Sequence, residues 1–175
     1  MAAHTGTKGR DRFTGKSQAD AYDGKENYDV VSYASSTANL IINLASPSAN
    51  RGDARGDTFL SIESFYLGAG NDRFVISEAP LKFNLDTITD FNVADDTIAI
   101  DNLFLPKLKD GALKVGSFWI GAQAHNGNDR IIFDNTSGKL WFDEDGKGRH
   151  AAQLIGTLDT SGLTGTLTSA DFIIV

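Results

Sequence analysis

Residues 6–32 repeat every nine positions, and that period constrains the fold more than any other feature of the chain. Gly6-Thr7-Lys8-Gly9-Arg10-Asp11-Arg12-Phe13-Thr14 is followed by Gly15-Lys16-Ser17-Gln18-Ala19-Asp20-Ala21-Tyr22-Asp23, then by Gly24-Lys25-Glu26-Asn27-Tyr28-Asp29-Val30-Val31-Ser32. Each nine has Gly first, Asp sixth and a large apolar residue eighth. A fixed period of this kind marks an architecture stacked from like units. Six residues that open on Gly and carry Asp, Asn and small side chains make a turn. The next three, with one apolar side chain at the centre, make a very short strand. Stacked, such strands form two parallel sheets with the apolar residues inside, and the turns place Asp over Asp. Two stacked carboxylates repel unless a cation lies between them. Ca2+ suits such a place because it accepts many oxygens, backbone carbonyls included. The alternative is that these acids cap the backbone of their turns and bind nothing.

The nonapeptide resembles the RTX repeat of Gram-negative secreted proteins, G-G-x-G-x-D-x-U-x. The first nine keeps Gly6, Gly9 and Asp11, whereas Gln18 and Asn27 stand where the next two repeats would carry the fourth-position Gly. None has the second Gly, although Asn tolerates the left-handed conformation that Gly would supply. The resemblance implies turns that stack two repeats apart, with Asp11 and Asp29 on one edge and Asp20 on the other. Further on, Gly56-Asp57-Thr58-Phe59 and Gly68-Ala69-Gly70-Asn71-Asp72-Arg73-Phe74 recover the Asp-x-apolar unit. Asp57, Gly68, Gly70 and Asp72 therefore join Gly6, Gly9, Asp11, Asp20 and Asp29 as expected calcium-site residues. Asp86-Thr87-Ile88-Thr89-Asp90-Phe91 and Asp95-Asp96-Thr97-Ile98-Ala99-Ile100-Asp101 are similar to the segment that closes the β-roll of serralysin-type proteases. That similarity implies a last calcium held by Glu78 and Asp86.

Beyond residue 102 the pattern changes to that of a cap, which a repeat stack needs over its last apolar layer. Phe118-Trp119-Ile120 reads as a strand. Residues 129–134 and 139–143 read as a hairpin around the turn at Asn135-Thr136-Ser137-Gly138. Asp143 and Asp145 open like an EF-hand loop but lack its twelfth-position Glu, so they are possible metal ligands or a plain hairpin-end turn. The chain ends on Asp171-Phe172-Ile173-Ile174-Val175. That apolar tail is similar to the uncleaved C-terminal signals of proteins exported by type I secretion. The fold expected is thus all-β: a parallel β-roll with degenerate nonapeptide turns and a closing segment over 1–101, capped by C-terminal antiparallel strands over 102–175.

Composition bounds the function. A net charge of −7 disfavours nucleic acid and anionic membranes as partners. With no cysteine, thiol chemistry and disulfides are out. No N-terminal apolar segment of signal type is visible, and no run approaches the ~20 apolar residues of a membrane span. His4, His125 and His150 have no zinc-ligand spacing. No nucleophile elbow, P-loop or dinucleotide fingerprint is present, so a non-enzyme is expected. Arg51-Gly52-Asp53 reads as an ordinary loop, and Trp119 and Trp141 read as core residues. The function expected from the resemblance is a calcium-binding module of a secreted, extracellular protein. It would carry a type I secretion signal, engage that secretion machinery, follow an upstream passenger domain and fold when calcium binds outside the cell. The alternative is an accessory domain for an extracellular polysaccharide, similar to the modules that flank alginate epimerases. There calcium or the basic clusters Arg10, Arg12, Lys16 and Lys107, Lys109, Lys114 would bridge to an acidic glycan.

Overall fold

The computed structural model describes residues 1–77, 85–103, 105 and 107–175. After β1 (Ala2–Thr5), the nonapeptides do become turn-plus-strand units: β2 (Arg12–Thr14), β3 (Asp20–Asp23) and β4 (Val30–Ser32). They are followed by β5 (Ile41–Asn43), β6 (Thr58–Leu60), β7 (Ser64–Tyr66), β8 (Arg73–Ile76), β9 (Thr87–Ile88) and β10 (Thr97–Ile100). The C-terminal part adds β11 (Gly111–Ala112), β12 (Phe118–Ile120), β13 (Ile131–Asp134), β14 (Lys139–Phe142), β15 (Gln153–Leu158) and β16 (Phe172–Ile174). Among the described residues, four single-turn 3-10 helices lie at Pro47–Ala49, Gly52–Ala54, Val115–Ser117 and Ser169–Asp171.

The expected all-β, two-sheet parallel β-roll with a separate antiparallel cap is not what these elements build. They form three sheets, ordered β1-β3-β6, then β11-β16-β10-β8-β5, then β12-β13-β14-β15-β9-β7-β4-β2. The second and third sheets are mixed. The physical reason is the length of the return path. Within the nonapeptides, Asp11 and Asp29, 18 residues apart, stack directly. After Ser32 the return lengthens to 34 residues for Asp29 and Glu63, and to 37 for Asp20 and Asp57. That extra chain carries β5 away from both earlier sheets, and β5 founds the second sheet with β8. Strands from 102–175 then enter existing sheets. β15 pairs parallel to β9, and β16 pairs parallel to β10.

Register explains the core. One apolar side chain per short strand points inward, so parallel pairing stacks these residues into columns. Phe13, Val31, Phe65 and Ile88 stand in register across β2, β4, β7 and β9. Ile42, Phe74, Ile98 and Phe172 do the same across β5, β8, β10 and β16. Tyr22, Phe59, Phe65 and Phe74 join the columns through ring contacts of 5.9, 5.1 and 5.4 Å. The apolar C-terminal tail belongs to this core, with Phe172 and Ile174 buried. A capping box precedes it, in which the Thr168 side chain and the Asp171 carboxylate close the 3-10 turn. Residues 131–142 form the expected hairpin, with Asp134 opposite Lys139. Trp119 lies at the surface, 38% exposed and stacked on His125 at 4.4 Å, rather than in the core. Among the described residues no helix is long and apolar enough to cross a membrane.

Candidate metal centre

The acids at the sixth position of the repeat form ladders along the edges of the stack. In the first, the Asp11 N–H donates to Asp29 Oδ1 at 2.7 Å and the Asp29 N–H donates to Glu63 Oε2 at 2.7 Å. In the second, the Ala2 N–H donates to Asp20 Oδ1 at 2.9 Å and the Asp20 N–H to Asp57 Oδ1 at 2.7 Å. In the third, the Leu40 N–H donates to Asp72 Oδ1 at 2.8 Å and the Asp72 N–H to Asp96 Oδ1 at 3.0 Å. The logic is the same each time. The tight turn leaves one N–H without a strand partner, and the carboxylate of the next rung accepts it. One oxygen of each acid is thereby committed to the backbone.

The second oxygen decides what else the ladder can do. Asp57 Oδ2 accepts from the Tyr33 hydroxyl, Asp96 Oδ2 accepts the Asn92 N–H at 2.9 Å, and Asp20 Oδ2 lies 3.4 Å from His4 Nε2. Asp29 Oδ2 and Asp72 Oδ2 are buried and accept no hydrogen bond. Both residues are sealed, Asp29 at 0% and Asp72 at 1% exposure. Burial pushes the Asp72 carboxyl up to about 6 despite the Leu40 N–H, and the nearby Asp96, Asp90 and Asp95 add repulsion. Burial likewise raises Asp96 and Asp57. The Ala2 N–H holds Asp20 below its ordinary range.

A carbonyl oxygen accompanies the unpartnered carboxylate of Asp29, and another accompanies Asp11. A side chain begun at Gly24 would meet Ser61 O at 2.1 Å and Asp29 Oδ2 at 2.4 Å. One begun at Gly6 would meet Gly24 O at 2.5 Å and Asp11 Oδ2 at 2.8 Å. Only Gly permits these approaches of turn to turn, and at Gly15, the other first position, a side chain would begin 2.1 Å from the Tyr33 ring. The third turn compensates for its missing glycines at a cost in strain, since Lys25 and Asn27 adopt φ of 78° and 79°. The donor set is oxygen alone, carboxylate and carbonyl, which fits a hard cation such as Ca2+ and not zinc. Among the described residues no three His, Asp or Glu side chains converge on one metal position. A cation at Asp29 or Asp72 would therefore draw on backbone carbonyls for its remaining ligands.

The other expected residues are placed as follows. Gly68 and Gly70 occupy the turn before β8 at φ of 92° and 139°. There Asp90 accepts the Leu67 N–H at 2.6 Å and the Gly68 N–H at 3.0 Å. Asp11 Oδ2 accepts the N–H and hydroxyl of Thr7 in its own turn, and the Gly9 N–H reaches the Thr7 hydroxyl. Glu78 lies outside the described residues. The Asp86 carbonyl accepts the Thr157 N–H at 3.0 Å, tying β15 to the edge of β9. Asp143 Oδ1 accepts the N–H groups of Asp145 and Gly146, and Asp145 Oδ2 accepts from Arg149 and His150, so both carboxylates brace their own loop. The bond from His150 holds the Asp145 carboxyl down at about 2. Asp53 of the Arg51-Gly52-Asp53 loop accepts from the Ser36 hydroxyl. Three acids were not picked out from the sequence: the ladder members Glu63 and Asp96, and Asp90, which braces the Gly68 turn. The signal was present for two of them, because Glu63-Ser64-Phe65 and Asp96-Thr97-Ile98 repeat the acid-x-apolar unit without a leading Gly. No protein-family model matches the chain, and no curated protein matches it.

Proposed function

We propose that the chain is a non-catalytic, calcium-binding module of RTX type from a secreted protein, in which binding and folding are coupled. The observation that carries this reading is Asp72: a sealed carboxylate with one oxygen lacking any hydrogen bond and three further acids raising its pKa. Asp29 repeats the feature beside the Ser61 carbonyl. Buried charge without a counter-charge destabilises a fold, and a divalent cation at these oxygens would remove that penalty. Calcium would be too scarce in the cytosol to fill sites with the ~10⁻⁴–10⁻³ M affinity usual outside cells. The chain would stay expanded for type I export and fold outside, where binding free energy becomes folding free energy. The C-terminal tail supports this order of events. Its apolar residues pair with β10 once folded, so secretion machinery would have to read them before folding. An upstream passenger would gain a folded nucleus at its C-terminal side.

The test is calcium-dependent melting of the wild type and of Asp29→Asn with Asp72→Asn. Asn keeps the acceptor for the neighbouring N–H and replaces the unpartnered oxygen by an amide donor. The wild type should gain about 3 kcal/mol at a hundredfold excess of calcium over Kd, and the double variant should gain almost nothing. Equal calcium response in both proteins would place any bound calcium elsewhere.

A second reading, attachment to an extracellular polysaccharide, is favoured by the outer face of the third sheet. Tyr28, Ser64, Tyr66, Thr87, Thr89 and Thr157 line a groove of about 400 Å3 there. The Arg12 guanidinium lies 4.4 Å above the Tyr66 ring. Aromatic faces beside rows of hydroxyls suit sugar rings. Retention on immobilised alginate that Tyr28→Ala and Tyr66→Ala abolish would support attachment, and passage of the wild type without delay would remove it.

A further inference from the structure

Away from the ladders, one concave surface has the opposite charge. Lys107, Lys109, Lys114 and Arg130 line an open cleft of about 570 Å3, between the 3-10 turn at Val115–Ser117 and the approach to β13. A lone carboxylate, Asp110, shares the lining, and its Oδ1 already accepts from Asn102 Nδ2 at 2.5 Å. Among the described residues none of the four cations forms an ion pair; the ion pairs lie at His4, Lys8, Lys25 and His150. Four uncompensated positive charges in one cleft repel each other. In a chain of net charge −7 their grouping is contrary to the surrounding field.

The cleft is also shaped for a ligand. Arg130 Nη1 donates to the carbonyls of Gly127 at 3.0 Å and Asp129 at 2.8 Å, which fixes the guanidinium plane. Gly116, in the lining, has no atom within 4 Å of where a side chain would begin, so the wall stays open there. The volume falls within the ~300–1,000 Å3 usual for small-molecule sites.

We propose that this cleft binds a phosphate monoester. Such a group carries about −1.5 to −2 charge at neutral pH, against −1 for a carboxylate, and so answers several cations at once. Its oxygens match the planar fork of an arginine, while the lysines act as mobile point charges around it. A long polyanion such as nucleic acid would meet the repulsion of the whole acidic chain. The same chemistry is offered by a soluble phosphorylated metabolite and by a phosphomonoester lipid headgroup. The site is independent of the calcium reading, since it shares no residue with the ladders.

The experiment has two arms in calcium-containing buffer. Titration calorimetry with glycerol 3-phosphate reads the soluble source. Co-sedimentation with phosphatidylcholine vesicles, with and without phosphatidic acid, reads the headgroup. Saturable binding in either arm is expected, and the arm that responds identifies the source. Lys109→Gln with Lys114→Gln should weaken it about tenfold, and Arg130→Lys should weaken it by loss of the fork. The lysines are exposed, so the double variant should keep the wild-type circular dichroism. Absence of saturable binding in both arms, or wild-type affinity in both variants, would overturn the proposal.

Discussion

At the scale of the residue, the repeat aspartates have two jobs that separate by oxygen atom. Oδ1 of Asp20, Asp29, Asp57 and Asp72 takes a backbone N–H from the adjacent rung. Oδ2 is free of that duty, and at Asp29 and Asp72 it has no hydrogen-bond partner at all. The pH dependence of the metal-free protein follows from Asp72. Its folded pKa of about 6 lies above the ordinary carboxylate value, so the native state keeps a proton that the unfolded chain releases near pH 4. Its contribution is therefore fully present below about pH 4 and is lost as the pH rises through about 6. Asp57 and Asp96 shift in the same direction. Asp20 acts oppositely but in a lower window, since its depressed pKa costs stability only as the pH falls through it. In chelator, the protein should thus be more stable near pH 5 than near pH 7.5, by about 1.4 kcal/mol from Asp72, and melt at a correspondingly higher temperature. Asp72→Asn should flatten the curve. A melting temperature that climbs steadily from pH 5 to 8 in chelator would show that Asp72 is not the strained group described.

At the scale of the element, the short strands gain little alone and depend on the columns they enter. β16 is the clearest case. It closes the second sheet between β10 and β11, and Phe172 sits in register with Ile98. Phe172→Ala should therefore cost about 3–5 kcal/mol, as for other fully buried aromatic residues, measured by denaturant unfolding in calcium. A loss below about 1 kcal/mol would mean that the tail is not part of the core. The sequence made some of these elements legible. The nine-residue period located β2, β3 and β4, and the Gly-containing turn at Asn135-Thr136-Ser137-Gly138 located the hairpin of β13 and β14. The pairing of the apolar tail was not legible, because a terminal run of Phe-Ile-Ile-Val has no local pattern that announces a parallel partner 74 residues earlier, at the Ile98–Phe172 pair.

At the scale of the whole molecule, the second sheet was illegible for a related reason. A period specifies where the chain returns, and the period stops at Ser32. The loops that follow carry turn residues but no length rule, so nothing local states that β5 will start a new sheet while β6 rejoins the first. The candidate site was more legible than the fold, because the acid-x-apolar unit survives where the glycines are lost. Glu63 and Asp96 escaped only because Glu replaced Asp in one and a leading Gly was absent in both. What the whole chain then presents is an acidic stack whose interior holds carboxylates without counter-charge, set against a basic cleft near its C-terminal end.

The most direct test of that account is a calcium titration of the chelated protein at about pH 7.5, where Asp72 is ionised. Folding would be followed by far-UV circular dichroism and thermal melting, with magnesium as control. A cooperative gain of β signal or of melting temperature at sub-millimolar to millimolar calcium, not reproduced by magnesium, is the predicted result. A fold that is complete in chelator and indifferent to calcium would contradict it. The ladder acids would then be backbone acceptors and nothing more.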